Sequence, residues 1–81
     1  MALFIVKASF DQEAGVWYVA ESDVPGLATE ADNFDDLCKK ILVMVPELLE
    51  LNGWDGENNG SGEIPIEIIA SRSSRVRLAA A

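Results

Sequence analysis

Histidine is absent from the 81 residues, and one cysteine, Cys38, stands alone. The first absence removes the commonest general base and metal ligand. The second excludes an internal disulfide framework and a cysteine zinc site. Basic residues are scarce: six Lys and Arg face fourteen Asp and Glu, a formal charge of -8. A chain so charged repels phosphates, which excludes general nucleic-acid binding and favours a basic partner. Long apolar runs are missing as well. Leu3 to Val6 is stopped by Lys7, too early for a signal-peptide core or a membrane span. A cytoplasmic protein is expected, with no membrane association, no direct DNA binding and no cofactor.

Hydrophobic residues make up 49% of the chain, too many for an acidic disordered polymer, so it should fold. Its length allows one domain, which buries only roughly 60 to 65% of the surface exposed by the unfolded chain. We place that domain at residues 1–71, followed by a basic tail over 72–81 that could extend the last strand.

Leu3 to Phe10 and Val16 to Glu21 are rich in β-branched and aromatic residues and flank a polar segment ending in Gly15, which predicts an antiparallel hairpin. Val24-Pro25-Gly26-Leu27 has proline and glycine where a type II turn needs them, and it leads to a third strand, Leu27 to Glu30. From Asn33, a predicted N-cap, apolar residues recur at helical spacing: Phe34, Leu37, Cys38, Ile41, Leu42, Val45, Leu48 and Leu49. Pro46 predicts a kink in a helix that resumes to about Leu51. Asn52-Gly53 stops it, a loop follows to Gly62, and Ile64 to Ala70 alternate as a strand with one buried face. The expectation is an α+β fold, β-β-β-α-β, with one antiparallel sheet packed against a single long Pro-kinked helix.

Both strands of the hairpin carry apolar residues on both faces. Val16, Tyr18 and Ala20 oppose Trp17 and Val19, so a second apolar patch should remain beyond the helix and mark a partner or a homodimer.

Catalytic engines are hard to find. Asp35 and Asp36 are adjacent in the first helical turn, where the dipole already explains acids. Cys38 lies on the apolar stripe and reads as a small core residue. Asp55 to Glu63 resembles the opening of an EF-hand loop, but position twelve is Ile66 instead of a bidentate Glu. No catalytic, metal or cofactor residue is assigned. Residues 1–67 hold all fourteen acids against Lys7, Lys39 and Lys40, a formal -11, whereas Arg72, Arg75 and Arg77 lie beyond them. Trp54 serves equally well as a partner anchor or as a lid on the core edge.

The string FIVKASFDQEAGVWYVAESDVPGLATEADNFDDLCKKI resembles the N-terminal domain of HicB-type antitoxins. The resemblance covers Ile5 to about Leu49, and Asp23-Val24-Pro25-Gly26-Leu27-Ala28-Thr29-Glu30-Ala31-Asp32 is its most specific piece. It implies an acidic, non-enzymatic antitoxin-like module whose partner is a small basic mRNA-cleaving toxin of HicA type. The DNA-binding domain of that family has no counterpart here, so a repressor role is not expected, and the chain is similar to a short, uncharacterised branch. Partner contacts are assigned to Asp11, Glu13, Trp17, Val19, Asp23, Asp35, Asp36 and Trp54. Two further readings stand beside this one. The first is an orphan homodimeric module with an unrelated regulatory role. The second is a residual metal-dependent nuclease using Glu21, Glu30 and Glu67, which would have to converge.

Overall fold

The computed structural model describes residues 3–53 and 63–79. Its elements are β1 (Phe4–Asp11), β2 (Val16–Ser22), β3 (Glu30–Ala31), α1 (Phe34–Leu51) and β4 (Ile66–Ser71). The α+β class and the β-β-β-α-β order agree with expectation. The four strands form one sheet in the order β3-β2-β1-β4.

β1 and β2 pair antiparallel through a turn built by Asp11. Its carboxylate Oδ1 accepts from the amides of Glu13 (2.9 Å) and Ala14 (3.2 Å), while its carbonyl accepts from the Gly15 amide at 2.7 Å. Gly15 has φ +70°, a left-handed value that favours glycine. The register then shifts between Lys7 and Ala8, which pair with Glu21 and Val19, so that Ala20 is an extra residue. Such a bulge bends the strand and increases its twist.

The Pro-Gly turn forms as expected: the Leu27 amide donates to the Val24 carbonyl (3.3 Å), and Gly26 adopts φ +81°. The strand after it is shorter than predicted, Glu30–Ala31 in place of Leu27 to Glu30. Val24 and Leu27 are buried in the core, so packing fixes this segment where a ladder was expected, and only the contact from the Val19 amide to the Thr29 carbonyl (3.2 Å) precedes the strand.

Asn33 caps α1 by accepting from the Asp36 amide at 2.8 Å, and its own side-chain amide donates to Asp36 Oδ2 at 3.0 Å. The helix continues through Pro46 to Leu51 without breaking in two. Pro46 leaves the Leu42 carbonyl without its amide partner; both residues are exposed, so water can satisfy that carbonyl. Leu37, Ile41, Val45 and Leu49 form the buried seam. Leu42, counted in the apolar stripe from its spacing, faces outward, as does its neighbour Val43. At the C-terminus the Gly53 amide donates to the Glu50 carbonyl (3.1 Å), with Gly53 at φ +79°.

The sheet is mixed, a correction to the wholly antiparallel arrangement. β4 pairs parallel to β1, Phe4 opposite Ile66 through Ser9 opposite Ser71. α1 begins against Trp17 near the hairpin turn and ends with Leu48 over Gly26, so the helix returns the chain to the end of the sheet where β1 starts. β4 must then run in the direction of β1, as strands joined by a helical crossover do. Pro65 sits immediately before β4, where its missing amide costs the ladder nothing, and its carbonyl accepts from the Phe4 amide at 3.1 Å.

Val6, Ala8, Val24, Leu27 and Ala31 meet the helix seam in the core, with Phe4, Trp17, Val19, Ile66 and Ile68 packed around them. Alternation places Ile5, Lys7, Ser9, Tyr18 and Ile69 on the opposite face of the sheet.

Candidate partner-binding surface

Three aromatic rings form a row at the hairpin end of the molecule. Phe10 on β1 lies 5.4 Å from Trp17 on β2, which meets Phe34, the first residue of α1, edge-on at 5.5 Å. Contacts of this kind add about 0.5–1.5 kcal/mol to area burial, and they tie the helix start to the hairpin. Arg72 extends the row, its guanidinium carbon 4.3 Å from the Phe10 ring centroid.

Beside this row, along the free edge of β3, lies an open groove of about 440 Å³ lined by Val16, Ala31, Glu30, Asp32, Asp36, Lys39 and Lys40. The Lys40 ammonium donates to the Glu30 carbonyl at 2.7 Å, so this lysine is committed within the chain. The groove thus has Val16 and Ala31 as its apolar part and a rim of mixed charge, with Glu30, Asp32 and Asp36 beside Lys39 and Lys40.

The assigned residues divide by this geometry. Asp11, Glu13, Trp17, Asp35 and Asp36 come to one end of the molecule, around the hairpin turn and the helix start. Asp11 is half-buried and engaged in its turn, whereas Glu13 is exposed. Asp23 stands at the other end, where its carboxylate accepts from the Ile5 amide at 2.9 Å and its own amide donates to the Ile5 carbonyl at 3.1 Å. That pair extends the β1–β2 ladder. Trp17 and Val19 pack against the core on the helix side, so the second apolar face belongs to Ile5, Tyr18 and Ile69. Trp54 and most of the calcium-loop-like segment lie outside the described residues. Glu30 and Asp32 were missed as rim residues; their position on either side of Ala31, just ahead of the helix cap, was the available signal.

Cys38 is half-buried, and burial pushes its thiol pKa up, with the negative charge of Asp35 adding to the effect. A lowered, reactive thiol from Lys39 and Lys40 is not what this environment makes. Glu21, Glu30 and Glu67 share the face opposite the helix by register, but Glu21 faces Lys7 at 3.8 Å. No group of three or more His, Cys, Asp or Glu side chains able to hold a metal occurs among the described residues. No helix among them is long and apolar enough to cross a membrane.

Among the described residues these features define an α+β domain with one helix, a mixed four-stranded sheet and a groove of mixed charge at one sheet edge. Residues 3–80 match the family described as "Domain of unknown function (DUF1902)", and the chain belongs to that family. It is similar to a hypothetical protein, TTHA1013, from the extremely thermophilic bacterium Thermus thermophilus, known from a crystal structure. The two share 44% identity over 95% of this chain and 100% of that one, with a TM-score of 0.66. No curated protein matches the chain.

Proposed function

We propose that this chain is a cytoplasmic, non-enzymatic interaction module, antitoxin-like in the manner of the HicB resemblance, that binds a small basic protein such as a ribonuclease toxin of HicA type. The observation that supports this reading is the gathering of Glu30, Asp32 and Asp36 with Lys39 and Lys40 around the β3 edge and helix start, in a chain of formal charge -8 and next to the Phe10–Trp17–Phe34 row. Acids at the rim of such a groove steer a basic partner and set its orientation, while its apolar part, once desolvated, supplies affinity.

The test is to co-express the chain with a small basic protein encoded beside it and to measure RNA cleavage by that protein alone and in the complex. Neutralisation that weakens with salt, and that is lost in the Asp32→Lys, Asp36→Lys double variant, supports the reading. A basic neighbour that cleaves RNA equally well with the chain present overturns it.

A second reading, a homodimeric module without a toxin, is favoured by the sheet face opposite the helix. Tyr18 and Ile69 are each 38% exposed there beside half-buried Ile5, and Leu3 is exposed nearby. Apolar residues gathered on one open face mark an interface more often than scattered ones do.

A further inference from the structure

Beyond β4 the described residues touch the body at Arg72 and Ser73 and then stand exposed. Arg72 caps the Phe10 ring, and the Gln12 side-chain amide donates to the Ser73 carbonyl at 3.2 Å. From there residues 74–79 are exposed, with Val76 and Leu78 each 88% exposed. The radius of gyration is 16.0 Å, against about 12 Å for a compact chain of this length, and the long axis reaches 62 Å against 23 and 18 Å across. Arg75, Val76, Arg77 and Leu78 alternate basic and apolar, the period of a strand with two different faces.

The outer edge of β4 is the matching deficiency. Among the described residues β4 ends the sheet, and its ladder partner lies on one side only. Its helix-side residues Ile66 and Ile68 are only half-buried, although their neighbour Val6 on β1 is fully buried. An apolar edge strand with half-covered isoleucines is a template for one more strand.

We propose that the C-terminal residues 73–79 form an exchange arm that pairs antiparallel with the free β4 edge of a second copy of this chain. The proposal rests on the dimeric reading above and assigns its interface. The phase of the alternation sets the register. Arg72 points to the helix side, since Phe10 belongs to that side with Val6 and Ala8, so even-numbered residues of the arm continue the side of Ile66 and Ile68. With the two-fold axis at Arg72, Ile66 faces the partner's Leu78, Ile68 faces the partner's Val76, and Glu67 faces the partner's Arg77. Directly opposed residues of antiparallel strands lie on the same side of the sheet, and all three pairs obey this. Each copy then covers the other's isoleucines, and a basic arm meets an acidic body. The result is one eight-stranded sheet, with each arm contact made twice, as an isologous interface requires.

The test uses the full chain in sedimentation velocity over a concentration series. The arm side chains are exposed, so substitutions there leave the fold intact. Arg77→Glu and Glu67→Arg should each raise the dimer dissociation constant about tenfold, since the altered pair occurs twice, and the Glu67→Arg, Arg77→Glu combination should restore it. Val76→Asp should give a monomer at tens of micromolar. If the dimer survives Val76→Asp and Arg77→Glu but is lost in Tyr18→Asp, the open sheet face is the interface; the arm is then rejected and the dimeric reading stands. A wild-type chain that is monomeric at all these concentrations overturns both.

Discussion

The guanidinium of Arg72 stacks over the ring of Phe10, 4.3 Å from its centroid, and so fastens the first residue after β4 to the strand that opens the fold. Phe10 is itself packed on Trp17, and Trp17 on Phe34, so one row of contacts joins the hairpin, the helix start and the root of the arm. Where the arm leaves the body is therefore set by the same residues that hold the helix against the sheet.

Removing the cation from this stack should cost little stability. Arg72→Ala is expected to lower it by about 0.5–1 kcal/mol, the range for a cation over an exposed ring, with Arg72→Lys between the two. Urea denaturation gives this number. Hydrogen exchange should show faster opening at residues 72–73 than in the wild type.

The helix seam carries far more. Ile41 is fully buried in the core cluster that also holds Val6 and Ala8, so Ile41→Ala is expected to destabilise by about 2–5 kcal/mol. In a chain this small such a loss is a large part of the total. Val43 is 65% exposed on the opposite face of the same helix, and Val43→Ala should change stability by no more than about 0.5 kcal/mol. Equal urea midpoints for the two variants would contradict the assigned seam.

Two local signals have separable costs. Gly26 has φ +81°, and a Cβ there would meet Leu48 Cδ2 at 3.5 Å, an ordinary contact. Gly26→Ala should thus be penalised by backbone strain alone, about 1–2 kcal/mol. Asn33→Ala removes the acceptor for the Asp36 amide and should cost about 0.5–2 kcal/mol, while Asn33→Ser, which keeps a capping oxygen, should recover most of it. Thermal melts followed by far-UV circular dichroism read both.

Cys38 gives the pH prediction. Its thiol pKa is raised by burial and by Asp35, so the native state holds the proton more tightly than the unfolded chain does. Stability is then full below the ordinary thiol pKa and falls as pH rises through it towards the folded value. Labelling with a thiol reagent should proceed more slowly in the folded protein than in urea at the same pH. The Asp35→Asn variant should label faster than wild type.

Much of the candidate surface could be read from residues that act locally. Asp35 and Asp36 had to sit at a helix start because Asn33 caps it, and Glu13 had to be exposed because the hairpin turn puts it there. Asp23 could not be placed this way. Its carboxylate looked like one more rim acid, yet it accepts from the Ile5 amide, eighteen residues away along the chain. Nor could the sequence say which side of β2 would face solvent: alternation separates Trp17 and Val19 from Tyr18 without showing that the helix covers the former pair.

By itself, then, the sequence determined the turns, the cap, the helix and its seam, and the segregation of charge between body and tail. These depend on φ preferences, hydrogen bonds within a few residues and periodicity, all of which act at short range. Only the tertiary structure decided that β4 runs parallel to β1, that β3 shrinks to two residues, and that Ile66 and Ile68 stay half-covered at a free edge. Each of these follows from the path of α1 across the sheet, and that path is chosen by the packing of Leu37, Ile41, Val45 and Leu49 against strands distant in the chain.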